Sequence, residues 1–112
     1  MKHREDLALT QELLNGDQIA FETFYNSYFG RVYRFCDKRV SDSEACKDIV
    51  QQTFIKAMRY LDTYRGEASL HTWMCQICRN EISTWYKKTG ARSAQVLSLD
   101  QNPTVMAALE SV

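Results

Sequence analysis

The sequence predicts an all-α protein, a compact bundle of about four helices with no β-sheet. Three observations lead there. Apolar residues recur at three- and four-residue spacing along separate stretches of the chain, as they do on one face of a helix. The 112 residues hold one proline and four glycines, too little punctuation for the many tight turns of an all-β fold. No segment alternates apolar and polar residues convincingly enough for a half-buried strand. The length suits one domain with one core, and a composition 45% apolar and 25% charged is that of a folded globular chain.

Each helix has its own start and stop signals. The first is expected from Leu7 to Asn15, with Asp6 as N-cap and Gly16 as its stop. Asp17 caps a second, long helix reaching about Arg39, whose Phe21, Phe24, Tyr25, Tyr28, Val32, Phe35 and Cys36 follow the spacing of a buried aromatic stripe. Ser41-Asp42-Ser43-Glu44 reads as a capping box in which Ser41 bonds the amide at Glu44. The third helix then runs from Glu44 to about Leu61, with Cys46, Ile49, Val50, Thr53, Ala57 and Leu61 inward. Asp48, Gln51, Gln52, Ile55 and Arg59 share its opposite side, and one apolar residue within a polar patch suits a docking surface. After a loop from Asp62 to Ala68, Ser69 caps a fourth helix from Leu70 to about Lys88. At 100° per residue Leu70, Met74, Ile77, Cys78, Glu81 and Trp85 fall on one side. Thr72, Trp73, Gln76, Arg79, Asn80, Ser83 and Lys87 fall on the other side or its shoulder. Residues 1–90 are thus expected to form the folded domain, and 91–112 a linker or tail.

Charge and motif content narrow the function. Fourteen basic residues balance fourteen acidic ones, which argues against a protein that grips duplex DNA by bulk electrostatics alone. The distribution is uneven: the fourth helix and the residues just after it carry Arg79, Lys87, Lys88 and Arg92 against Glu81, whereas the start of the third carries Asp42, Glu44 and Asp48 against Lys47. Two faces of opposite sign suggest two partners. Arg, Gln and Asn on one helical face are the side chains that bond base edges, and a partly exposed Trp can stack on a base. An enzyme is not expected: the chain has no Gly-rich phosphate loop, nucleophile elbow or His-Glu-x-x-His. His3 and His71 sit in unrelated contexts. Cys75 and Cys78 form a C-x-x-C inside a helical pattern with no second pair at zinc-site spacing, so packing is preferred to metal or redox chemistry, and no cofactor or metal is expected. No window is apolar enough for a membrane span and Met1 to Asp6 form no signal core, which gives the expectation of a cytoplasmic protein without membrane insertion.

Three ordered runs carry a resemblance. Asp48-Ile-Val-Gln51-Gln52-Thr-Phe54-Ile-Lys-Ala57, then Leu61-Asp62-Thr-Tyr-Arg65-Gly66-Glu-Ala, then Thr72-Trp73-Met-Cys-Gln-Ile77-Cys-Arg-Asn80 closely resemble region 2 of the ECF (extracytoplasmic function) sigma factors. The stretch from Leu13 through Gly16-Asp17 to Phe21 is similar to that family's opening. The resemblance covers about residues 7 to 90. It implies a transcription initiation factor domain that binds core RNA polymerase at the β′ clamp helices and recognises and melts the promoter −10 element by capturing its non-template strand. On this resemblance the polymerase-binding role falls to Asp48, Gln51, Gln52, Ile55 and Arg59. The DNA-binding role falls to Tyr64, Arg65, Gly66, Ser69 and Leu70 of the loop and to Thr72, Trp73, Gln76, Arg79, Asn80, Ser83 and Lys87 of the fourth helix. Two positions depart from the family pattern: Gln52 stands where Glu is usual, removing one charge from the docking patch, and Gln76 stands where Arg is frequent. The resemblance also implies an anti-sigma factor as partner, and residues 91–112 as the start of a linker toward an absent region 4 domain. A helical module that exists only to be bound, and a redox protein using Cys75 and Cys78, are the competing readings.

Overall fold

The computed structural model describes residues 2–90. It contains α1 (Arg4–Leu14), α2 (Gln18–Asp37), α3 (Ser43–Arg59), a single 3₁₀ turn (Leu61–Thr63) and α4 (Leu70–Thr89). Among the described residues there is no strand, so the expected all-α bundle of four helices is found. The linker expected over 91–112 lies outside the described residues.

The helices start where the sequence supplies acceptors, with two differences from expectation. Asp17 Oδ1 accepts the Ala20 amide at 3.0 Å and opens α2, and Ser69 Oγ accepts the Thr72 amide at 3.1 Å and opens α4, both as expected. At α3 the cap is Asp42, not Ser41: its carboxylate takes the amides of Glu44 (3.0 Å) and Ala45 (3.2 Å). A charged acceptor satisfies two orphan donors and also faces the positive end of the helix dipole, which a serine hydroxyl does less well. At α1 the helix begins a turn earlier than expected, at Arg4 after His3, with no side-chain cap. Asp6 therefore lies in the first turn, and its carboxylate serves elsewhere: it accepts the Leu70 amide at 2.8 Å and lies 3.5 Å from the Tyr28 hydroxyl. One side chain thus ties α1 to α2 and to the first amide of α4. Gly16 does end α1, at φ +80°, with the Gly16 amide on the Leu13 carbonyl and the Asp17 amide on that of Glu12, the double bond of a Schellman stop.

α2, α3 and α4 all pack on one another, while α1 lies against α2 and the 3₁₀ turn. The core joins Phe24, Val32 and Cys36 of α2, Cys46, Ile49, Val50, Phe54 and Ala57 of α3, Leu61, and Leu70, Met74, Ile77, Cys78 and Ile82 of α4. Every residue expected to face inward from α3 is buried, and α4 follows its expected pattern except that Trp85 is half-buried. α2 does not follow it. Phe21 (39% exposed) and Tyr25 (37%) stand at the surface instead of in the core, and Tyr28 and Phe35 are half-buried. Two aromatic rows run along this helix, and only the one through Phe24, Val32 and Cys36 fits between α3 and α4.

Polar groups inside the bundle are satisfied. Thr53 Oγ1 donates to its own helix at the Ile49 carbonyl (2.8 Å), and Glu81, almost buried, accepts Lys56 Nζ at 2.6 Å. All four cysteines are buried and unbridged. Burial pushes the Cys46 and Cys75 thiols up, and the Cys36 thiol rises further because it donates to the sulfur of Cys78. Cys75 and Cys78 are thus two buried, unbridged thiols, the first raised by burial and the second lowered by the hydrogen bond it accepts from Cys36.

Replacing Asp6 by Ala is expected to leave the Leu70 amide without its acceptor and to destabilise the domain by about 1–2 kcal/mol. Urea unfolding checks this as a lower midpoint at unchanged m-value.

Candidate functional site

α4 is held at both ends, which fixes the side it turns outward. Ser69 caps its start, Gly90 closes its end by donating its amide to the Tyr86 carbonyl at 3.0 Å, and the Tyr86 hydroxyl donates to the Arg39 carbonyl of the chain leaving α2 at 2.9 Å. Thr72, Gln76, Arg79 and Lys87 are exposed on the outer side, with Trp73, Asn80 and Ser83 half-buried beside them. The amide and basic residues expected to share one face therefore do so. The Asn80 carbonyl accepts the Thr84 hydroxyl at 3.0 Å.

The loop before α4 is built from inside. Tyr64 is buried, donates its hydroxyl to the Ala68 carbonyl at 2.6 Å, and carries the Trp73 ring against it with centroids 5.4 Å apart. Burial, with the Asp6 carboxylate adding to it, pushes the Tyr64 phenol up to about 12. Gly66 is buried at φ +76° under Leu7, and its carbonyl accepts the His3 amide at 2.8 Å. Of the loop residues expected at a DNA contact, Arg65 is exposed and Ser69 half-buried, whereas Leu70 is fully buried and Tyr64 nearly so. Leu70 and Tyr64 shape the loop and offer it no outward side chain, because the amphipathic pattern of α4 puts Leu70 at the centre of its inward stripe.

On α3, Asp48, Gln51, Gln52, Ile55 and Arg59 are all exposed in one stripe, with Ile55 45% accessible. Lys56 turns the other way, toward Glu81. Beside this stripe runs a row of aromatics that sequence reasoning assigns to the core or passes over. Phe21 and Tyr25 are stacked at 6.2 Å, Tyr25 and Phe29 lie 5.4 Å apart, and Tyr25 rests on Phe54 of α3 at 4.9 Å. The i, i+4 repeat Phe21, Tyr25, Phe29, Tyr33 is the available signal: it forms a second aromatic ridge beside the one through Phe24, Val32 and Cys36, and the pattern alone does not decide which ridge is buried.

The family profile of sigma-70 region 2 matches residues 24–92. The chain belongs to this family. Its relatives include the RNA polymerase sigma factor YlaC of Bacillus subtilis, 28% identical over 88 residues that cover 79% of this chain and 43% of that protein. The ECF RNA polymerase sigma-E factors of Haemophilus influenzae and Escherichia coli K12 are each 32% identical over 87 residues, 78% of this chain and 46% and 45% of theirs. The chain thus spans less than half the length of these relatives. The resemblance to region 2 of ECF sigma factors is borne out, and the match takes in α3, the loop and α4, where both exposed faces lie.

The loop geometry is expected to depend on Gly66. A methyl group there would come within 2.7 Å of Leu7 Cγ, on a backbone already in the left-handed region. Gly66→Ala should cost about 1–2 kcal/mol in thermal or urea unfolding, from the left-handed backbone alone. An unchanged midpoint would mean that the loop is not held in this conformation.

Proposed function

We propose that this chain is the part of a transcription initiation factor that docks on core RNA polymerase and captures the non-template strand of the promoter −10 element as the duplex opens. The observation that carries it is the pair of outward faces on adjacent helices of a sigma-70 region 2 chain. One, on α3, is polar around Ile55, with Asp48 at one end and Arg59 at the other; the other, on α4, carries amides, basic side chains and a half-buried indole.

The α3 stripe Asp48, Gln51, Gln52, Ile55 and Arg59 docks on the polymerase β′ subunit, and the aromatic row at Tyr25 and Phe21 widens that contact. An apolar centre with a polar rim is the anatomy of a protein interface. Gln52 keeps an acceptor and adds donors where a carboxylate would add charge. The α4 face takes the strand. Opening a base step costs a few kcal/mol, and a site that accepts one extruded base turns this cost into selectivity. The loop carrying Arg65, Gly66 and Ser69 lies next to Thr72 and Trp73 and shapes the place for that base, with Tyr64 and Leu70 supporting it from beneath. Gln76 and Asn80 meet the upstream bases, and Gln76 favours adenine, because a side-chain amide pairs bidentately with adenine N6 and N7. Ser83, Arg79 and Lys87 follow the backbone. Stacking and backbone contacts of about 1–3 kcal/mol per base hold the strand. A chain of zero net charge suits this division of labour, since the polymerase supplies the bulk of the electrostatic grip. An anti-sigma factor would cover the same two faces, and the site of action is the cytoplasm, where the polymerase works. Among the described residues no helix is long and apolar enough to cross a membrane.

Asp48→Arg is expected to abolish capture of core polymerase in a pull-down while leaving the circular dichroism spectrum unchanged. Indole fluorescence of the chain should respond to a −10 non-template oligonucleotide, and Asn80→Ala should weaken that binding by about 1–3 kcal/mol in a base-dependent way. Duplex promoter DNA should bind poorly. Fluorescence silent to every oligonucleotide, or tight sequence-independent duplex binding, would sink the proposal.

A further inference from the structure

Beside the α4 face, on the side of α2, lies a groove of about 320 Å³ lined by Arg31, Arg34, Phe35, Lys38, Arg39 and His71, with no Asp or Glu in its walls. Arg31 and Arg34 lie on α2, Lys38 is its C-cap and Arg39 follows it, so these cations gather at the end of the helix. Arg31 and Arg34 are exposed. Arg39 is fixed: its guanidinium lies 3.7 Å from the Phe35 ring centre and donates to the Phe35 carbonyl at 2.8 Å. Arg79 of α4 reaches the same ring, at 5.1 Å, and so joins the groove to the outer face of α4. Among the described residues none of these four arginines forms an ion pair with a carboxylate. The crowding is visible in their neighbours. Burial and then Arg79 lower the Arg39 guanidinium, and burial followed by Arg31 and Arg34 lowers the His71 imidazole.

Holding like charges around a shared concavity costs stability and focuses a positive field, which a bound polyanion would offset. Guanidinium groups are suited to phosphate, which they can pair with bidentately. We infer that the α2–α4 groove is a phosphate site, engaging the sugar–phosphate backbone of the nucleic acid whose bases lie on the outer face of α4. The inference rests on the proposed reading of α4 as the strand-capturing helix, to which Arg79 makes the groove continuous. It assigns the end of α2 a part in DNA binding, a role that the resemblance gives to the loop and α4 alone. The contribution is register and affinity without base preference, as for backbone contacts generally.

The test is a titration of the full 112-residue chain with labelled single-stranded −10 oligonucleotides of two sequences, between about 50 and 200 mM salt. Arg31→Ala/Arg34→Ala, at exposed positions, should weaken binding equally for both sequences and reduce the slope of log K against log salt by about 1.4, roughly 0.7 per lost phosphate contact. The Lys double variant should restore the slope, and Asn80→Ala should change the ratio between sequences but not the slope. An unchanged slope and affinity in the Ala double variant overturn the inference, as does a wild-type chain that binds neither strand at about 50 mM salt. Unchanged DNA binding with lost binding of a poly-glutamate peptide overturns it in favour of an acidic protein partner. An arginine-dependent slope without any discrimination between sequences leaves the groove standing and defeats the −10 reading instead.

Discussion

Where α2, α3 and α4 meet, the buried side chains are short: Cys36, Cys46, Thr53, Ala57 and Cys78 are all fully enclosed. Short side chains let three helices close on one another, and close packing gains dispersion contacts that a looser core would forgo. Their polar atoms are satisfied at short range, Thr53 on the Ile49 carbonyl and the Cys46 thiol on the Val40 carbonyl at 3.3 Å. Larger residues such as Phe24, Leu61, Leu70 and Met74 fill the remaining volume. Once these inward faces are committed, helical geometry leaves no choice about the outward ones. The stripe from Asp48 to Arg59 and the face from Thr72 to Lys87 are the complements of buried stripes.

Two carboxylates then fix how the helices sit. Glu81, nearly buried on α4, needs the Lys56 ammonium of α3, and any packing that separated them would strand a charge. Such a pair adds little net stability but disfavours other registers. Asp6 acts at the opposite end, satisfying the first amide of α4 from α1. Through it, and through the His3 amide on the Gly66 carbonyl, the N-terminal segment positions the loop that precedes α4. α1 contributes nothing to either outward face, yet the loop beneath Arg65 depends on it.

Charge is arranged rather than accumulated. A chain with equal numbers of acids and bases carries a polar, acidic-edged patch on α3 and concentrates arginine between α2 and α4. Separating the two signs on different faces keeps the surfaces electrostatically distinct, which suits the two partners proposed for them.

The sequence by itself determined the helix count, the caps at Asp17 and Ser69, the stop at Gly16, the inward set of α3 and the exposed stripes of α3 and α4, because periodicity and capping are local properties of the chain. Its three motif runs were enough to identify the family. Tertiary structure decided what local pattern leaves degenerate. Two aromatic rows on α2 were equally apolar, and only the space between α3 and α4 selected Phe24 for the core over Phe21 and Tyr25. Asp6 read as the cap of its own helix, yet it caps one 64 residues away, because a carboxylate bonds whichever amide the fold brings near. Arg31, Arg34 and Arg39 belong to none of the faces expected from the sequence, and only the fold gathers them with His71 of α4 into one groove. A cap, a core choice and a charge cluster of this kind are contacts between distant segments, and spacing along one helix carries no record of its neighbour.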